Sequence, residues 1–403
     1  MTNDVMKVPE LRFPEFSGEW EDKMLGDVLT ILDGDRGKNY PSGSDFLEYG
    51  HTLFLNASNV TKNGFSFTLK QYITEKKSIS MGNGKLVKDD VVLTTRGSIG
   101  NIGWYNEEIY REIPYARINS GMLILRSNNK DIASFVSQFL MSTKGKRQID
   151  RISFGSAQPQ LTKKDIKLYK IDFPQIKEQQ KIGEFFSKLD RQIELEEQKL
   201  EKLEEQKKGY MQKIFSQELR FKDENGNEYP EWEEKTIKDV YKVTRGYVLA
   251  RKLMSDNPNS INKYPVYSSQ TSNNGLMGYY SDYLYQDAIT WTTDGANAGS
   301  VSFRQGKFYC TNVCGVLLNE LGNSNVCMAE MLNNIAFKYV SKVGNPKLMN
   351  NVMAMIKLKF PCLEEQQAIS KFLNVFSEVI DNQNKKVELL KERKQGFLQK
   401  MFV

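Results

Sequence analysis

Histidine is almost missing from the sequence: His51 is alone among 403 residues. An imidazole-rich zinc site is therefore excluded, and a Ser-His-Asp arrangement would have a single base to draw on. Cysteine is also scarce. Cys310, Cys314, Cys327 and Cys362 have a spacing that fits no common zinc framework, so the ordinary reading is small buried hydrophobes in a reducing compartment. Apolar runs are short, of the kind Gly121–Leu125, well below the roughly 18 residues of a membrane span. The segment Met1 to Phe16 mixes Asp, Lys, Pro and Glu, unlike a secretory signal, and a cytoplasmic protein is expected.

Catalytic signatures are missing too. No G-x-x-x-x-G-K-[ST] loop occurs, and Gly82-Asn-Gly84-Lys85 reads as a hairpin turn. No G-x-G-x-x-G follows a strand. Asp223-Glu-Asn225-Gly-Asn227 has a glycine one place early for a calcium loop and lacks the closing glutamate, so it reads as a turn. The acidic pairs Asp33/Asp35 and Asp89/Asp90 read as solvated loop carboxylates. No metal and no catalytic residue is assigned. What is present is ordinary folding material, 39% hydrophobic and 26% charged, long enough for two domains. The net charge of +6 is compatible with a nucleic-acid partner without selecting one.

The informative feature is an internal repeat. Phe173-Pro174, Glu178-Gln-Gln180, Ile182 and Phe185 recur 187 residues later as Phe360-Pro361, Glu365-Gln-Gln367, Ile369 and Phe372. Over residues 173–215 the match holds without a gap, with 17 identities in 43 pairs, and it ends on Gly-aromatic-x-Gln-Lys-x-Phe in both copies. The same offset reaches back to Pro159-Gln-Leu161 and Pro346-Lys-Leu348. Leu11-Arg-Phe13 with Trp20 recurs as Leu219-Arg-Phe221 with Trp232, and Thr94-Thr-Arg-Gly97 as Thr292-Thr-Asp-Gly295. Each half runs through short β-type segments, a helix and one more strand before a long polar helix.

Those two helices share one register. Ile182, Phe186, Leu189, Ile193, Leu200, Leu203, Tyr210 and Ile214 follow a 4-3 spacing, with Glu196 and Lys207 at the two polar places. Their counterparts are Ile369, Leu373, Phe376, Ile380, Val387, Leu390, Phe397 and Met401, with Gln383 and Lys394. This is a coiled-coil seam, and helices so thinly apolar need a partner along their length. Pairing with each other, antiparallel, is the expected arrangement, against docking on their own domains or on another chain. About 32 residues of seam make a rod of roughly 48 Å, one to one and a half turns of B-DNA.

With these residues in hand the chain resembles the specificity subunit of type I restriction–modification systems. The likeness covers essentially the whole chain and includes Gly155-x-Ala-Gln-Pro-Gln-Leu161, from which the second copy departs with Gly344-Asn-Pro-Lys-Leu348. It implies an α+β chain: two tandem mixed α/β target recognition domains joined by two long helices in an antiparallel coiled coil, with pseudo-two-fold, circular symmetry. The corresponding divisions are 1–177, 178–215, 216–364 and 365–403. Each recognition domain would read one half of a bipartite, asymmetric site in double-stranded DNA. The coiled coil would set the spacer and dock two modification subunits, while two restriction subunits join the complex. The chain would carry no chemistry and bind no cofactor; S-adenosylmethionine, ATP and magnesium would belong to the partner subunits.

Base reading needs side chains that reach base edges, and phosphate contact needs Lys and Arg. The loop candidates are Arg36, Lys38, Arg96, Lys144, Lys146, Arg147 and Arg151 in the first half. In the second they are Arg245, Arg251, Lys252, Gln270, Asn273, Asn274, Arg304 and Lys347. A cluster of six tyrosines from Tyr264 to Tyr285 fits a sheet core better than a DNA surface. Two other readings remain open: a coiled-coil adaptor that binds protein partners without reading DNA, and a stand-alone endonuclease with an unrecognised carboxylate site.

Overall fold

The structure is a computed structural model that describes residues 7–153, 160–269 and 272–403. The chain divides into two compact units, Met1–Glu197 with Lys385–Val403, and Gln198–Asn384.

In the first unit, apolar β-branched runs form a four-stranded antiparallel sheet in the order Thr30–Asp33, Met122–Arg126, Val91–Thr94, Ile102–Trp104. A second sheet places Thr52–Leu55 between Tyr72–Ile73 and Ala116–Ile118, the latter pairing being parallel. The helix Lys130–Met141, capped by Asn129, buries Phe135, Val136, Phe139 and Leu140 on the first sheet's core side.

The second unit repeats this plan in one six-stranded sheet. Its order is Lys242–Arg245, Cys314–Leu318, Tyr285–Thr292, Val301–Cys310, Tyr264–Tyr267, Leu276–Tyr280. The first four strands follow the order of the first unit's larger sheet, and the last two repeat its smaller one, again with one parallel pair. A single long strand, Val301–Cys310, replaces Ile102–Trp104 and Ala116–Ile118, which the short helix Glu107–Glu112 interrupts in the first unit. The helix Val326–Ala336 buries Cys327, Met328, Met331 and Leu332. Backbones run close under the core: a Cβ on Gly315 would stand 2.1 Å from the Trp291 indole, so only glycine fits there.

Each unit is closed by the same short ladder. Glu21–Met24 pairs with Lys170–Phe173, with Glu21 opposite Phe173; Glu233–Thr236 pairs with Lys357–Phe360, with Glu233 opposite Phe360. The next residue is proline, which ends the strand, and a long helix begins: Ile176–Phe215 and Leu363–Lys400. Gln179 Nε2 donates to the Pro174 carbonyl at 2.8 Å, and Gln366 Nε2 to that of Pro361 at 2.9 Å. The helices therefore start two residues before the divisions expected at 178 and 365. The units also differ from those divisions, because the first half of each helix is packed into one unit's core and the second half into the other's.

Within each unit the helix segments run antiparallel. In the first, Phe185 meets Phe397 at 5.0 Å between ring centroids, while Asp190 pairs with Lys394, Glu197 with Lys391 and Glu196 with Lys386. In the second, Tyr210 meets Phe372 and Phe376, and Lys207 Nζ donates to Ser377 Oγ at 3.0 Å. Ile182, Phe186, Ile193, Val387, Leu390 and Met401 are buried in the first unit, and Ile214, Ile369 and Leu373 in the second. Leu189, Leu200, Leu203, Phe376, Ile380 and Phe397 are half-buried. Tyr210 is 41% exposed, with its ring edge on Phe372.

Candidate nucleic-acid interface

At one end of the first unit's larger sheet three turns are held together by main-chain contacts. A Cβ on Gly34 would lie 2.1 Å from the Asn119 carbonyl oxygen, so glycine is required where the turn after Thr30–Asp33 meets the turn at 119–121. Asp35 organises the same turn: its carboxylate accepts from the Gly37 and Gly82 backbone N–H groups at 2.7 and 2.8 Å, which holds its pKa below the ordinary value. The third turn follows Val91–Thr94. Thr95 N–H donates to Gly121, Leu161 N–H donates to Thr95, and Gly97 takes the left-handed conformation at φ +70°.

Arg36 and Arg96 emerge from this construction exposed. Arg36 Nη2 donates to the Ser120 carbonyl at 3.3 Å, and Arg96 lies beside Gly121. Lys38 is exposed two residues beyond Arg36. Lys144, Lys146, Arg147 and Arg151, expected in a loop, lie instead on the helix Thr143–Ser153, because Gly145 and Ile149 give the segment a buried side. Ile149 packs on Gly100, in the same turn as Arg96. Lys144, Arg147 and Arg151 form an exposed stripe at helical spacing, whereas Lys146 is half-buried. Burial, followed by the charges of Lys394 and Lys62, lowers its pKa. None of these seven cations makes an ion pair with a described carboxylate. The surface is a cluster of unneutralised charge suited to phosphate.

The second unit keeps the frame and changes its side chains. Thr293 N–H donates to Val313 and Leu348 N–H to Thr293, the same two bonds as in the first unit. Asp294 stands at the place of Arg96, and Lys347 at the place of Gln160; these two pair at 3.5 Å, which takes Lys347 out of the free cations. Arg245, expected in a loop, is the exposed last residue of a strand. Arg251 pairs with Asp256, and Lys252 is exposed beside it. Asn273 and Asn274 are exposed and left-handed, a conformation asparagine tolerates. Gln270 lies outside the described residues, as does the Gly155–Pro159 part of the first unit's motif. Arg304 departs most from expectation. It sits inside the strand Val301–Cys310, 7% exposed, with its Nε donating to Thr290 Oγ1 at 3.1 Å and its guanidinium 3.9 Å from the Tyr267 ring centroid.

The sequence pattern also carries a pair of ion clamps that spacing alone does not reveal. Arg12 donates twice to Glu178, both at 2.7 Å, and Arg220 donates to Glu365 at 3.2 and 2.7 Å. The signal was the recurrence of Leu-Arg-Phe and Glu-Gln-Gln in both halves. The acidic loop residues also have structural partners. Asp90 is bound by Arg126, Asp33 lies 3.7 Å from Lys163, and Asp223 accepts from the Asn225 and Asn227 N–H groups in a turn.

Residues 17–205 and 229–392 match the type I restriction modification DNA specificity domain family. The chain belongs to that family. It is similar to the type I restriction enzyme MpnII specificity subunit of Mycoplasma pneumoniae, 36% identical over 151 residues, which are 36% of this chain and 44% of that one. In fold it is similar to the crystal structure of a type I restriction–modification S subunit from M. genitalium, with a TM-score of 0.65 at 15% identity, covering 98% of this chain and 99% of that one. A chain from a structure of type I restriction–modification complex assembly aligns with a TM-score of 0.53 at 16% identity, over 95% of this chain and 97% of that one. As a specificity subunit the chain supplies DNA recognition, and catalysis belongs to other subunits of the complex. No helix among the described residues is long and apolar enough to cross a membrane.

Proposed function

We propose that each unit reads one half of a bipartite, asymmetric site in double-stranded DNA, and that the long helices set the number of unread base pairs between the halves. The observation that carries this is the repeated frame with unlike rims: Arg96 and Gln160 in one unit, Asp294 and Lys347 in the other, on the same backbone bonds. Identical frames give both units the same way of docking on a duplex; different side chains give them different sequences to accept. The helices also dock two modification subunits, which methylate adenine N6 with S-adenosylmethionine, and two restriction subunits use ATP and magnesium. The assembly works in the cytoplasm.

Base-resolution methylation mapping of host DNA, with and without this gene, tests the reading. A motif of two short halves around an unread gap, with adenine methylated in each, is expected to vanish on deletion. A methylome that deletion leaves unchanged favours the protein-binding adaptor. A second test uses salt. Changing Lys144, Arg147 and Arg151 to Gln weakens binding to all sequences alike. It also reduces the slope of log affinity against log salt by about 0.9 for each phosphate that is no longer neutralised. An unchanged slope removes this helix from the interface.

A further inference from the structure

The second unit's sheet has a face that its main core does not use. Ile289, Trp291, Val301 and Phe303 belong to the core beneath the helix Val326–Ala336. Strand alternation therefore turns Thr290, Thr292, Ser302 and Arg304 to the other side. In the first unit the matching face is apolar. Val92 stands for Thr290 and Tyr105 for Arg304, and the hairpin at Val60–Phe65 lays the Phe65 ring over Gly103, the counterpart of Ser302. Between Tyr264–Tyr267 and Leu276–Tyr280 the described residues form no such hairpin, only the short 3-10 stretch Ser272–Gly275. What remains is a cleft lined by Ser268, Asn274, Thr292, Ser300, Ser302 and Arg304.

Arg304 is the only charged group in that lining. It is more than nine-tenths buried, and no described carboxylate pairs with it. Thr290 and Tyr267 hold the guanidinium and engage one or two of its five N–H donors, so at least three have no acceptor among the described residues. A desolvated cation without a counter-charge is costly to hold. Here an aromatic ring beneath the guanidinium and a hydroxyl on its Nε hold it where the residue lines the cleft.

We propose that Arg304 reads a guanine in the half-site of the second unit, its Nη groups donating to O6 and N7, with Tyr267 as the residue that positions it. The proposal rests on the reading of this unit as a DNA reader. A rigid planar fork matches two neighbouring acceptors on one base edge, which a lysine cannot do. A backbone phosphate fits less well, because no second Lys or Arg lines the cleft among the described residues and, beside Trp291 and Cys314, the remaining groups are hydroxyls and an amide.

The test selects bound duplexes from a random library with the full chain in complex with its modification subunit, at two salt concentrations. The wild type is expected to require guanine at one position of one half-site. Arg304→Lys should lose roughly ten- to hundredfold of that discrimination and leave the other half-site untouched. Tyr267→Leu, which removes the platform but not the donor, should relax the same position to a smaller degree. The unaffected half-site shows in each case that the complex is folded. A half-site without guanine, an unchanged motif, or a uniform loss of affinity with a shallower salt slope overturns the assignment of Arg304. A wild-type complex that selects no sequence overturns the reading of the chain as a DNA reader, and this inference with it.

Discussion

Replacing Arg220 with Ala should lower the stability of the second unit by about 3–5 kcal/mol, because it leaves a buried carboxylate without its counter-charge. Glu365 is fully buried and accepts from Arg220 Nε, Arg220 Nη2 and Trp232 Nε1. Arg220 is only partly buried and donates as well to the Tyr229 and Pro230 carbonyls, tying the Trp-centred start of the unit to the base of the long helix. The pair holds the arginine pKa above its ordinary value, the hydrogen bond to Glu365 being the leading cause. A double change, Arg220→Met with Glu365→Leu, removes both charges and should cost far less than the single one, since the penalty lies in the orphaned charge. Denaturant midpoints of the three variants decide the matter; a single variant no worse than the double would mean that the clamp is ordinary surface chemistry. The first unit offers a graded comparison. Arg12 and Glu178 repeat the clamp, but Trp20 Nε1 has no acceptor among the described residues, so Glu178 holds one partner fewer. Arg12→Ala should destabilise its unit by at least as much, because the buried Glu178 then keeps no described side-chain partner, whereas Glu365 keeps Trp232.

This clamp explains what the repeat in the sequence is for. Leu-Arg-Phe and the tryptophan lie at one end of each half and Phe-Pro and Glu-Gln-Gln at the other, yet they converge on one place: arginine on glutamate, glutamine on the proline carbonyl, tryptophan and phenylalanine in the core. Identity over a fixed offset made the elements and their register legible, because the same contacts had to be kept twice. The strand order was not legible. It depends on which segments lie side by side, and the insertion of Glu107–Glu112 disguises one long strand as two short ones.

The interface was less legible than the frame, for a physical reason. Charge on a loop and charge on a helix look alike in sequence unless small apolar residues reveal a buried side, as Gly145 and Ile149 do for the basic helix. Arg304 looked like a loop residue because Gln305 and Gly306 follow it. Its strand is recognisable only from its neighbours, and its burial only from Thr290 and the Tyr267 ring packed against it. No residue pattern marks Tyr267 as the ring beneath it.

The other large effect concerns residues remote in sequence from the core they fill. Phe402 is 1% exposed and lies between Trp20, Phe135, Phe139 and Phe186, with ring centroids 5.5–6.4 Å away. Leu398 and Met401 are buried beside it, and the Leu11 N–H donates to the Lys400 carbonyl at 2.9 Å. Phe402→Ala should therefore cost about 3–5 kcal/mol, the usual loss for a buried aromatic ring, and all of it should fall on the first unit. Removing residues 396–403 takes three core side chains at once and should unfold that unit. The second unit is sealed by the equivalent stretch of the central helix, where Ile214 is buried and Phe215 packs on the same core, so it should remain folded. Limited proteolysis read by mass spectrometry separates the outcomes: cleavage confined to the first unit is expected. Equal cleavage in both, or in neither, would mean that the terminal aromatic is a surface cover and that the Gly-aromatic-x-Gln-Lys-x-Phe motif is kept for a different purpose.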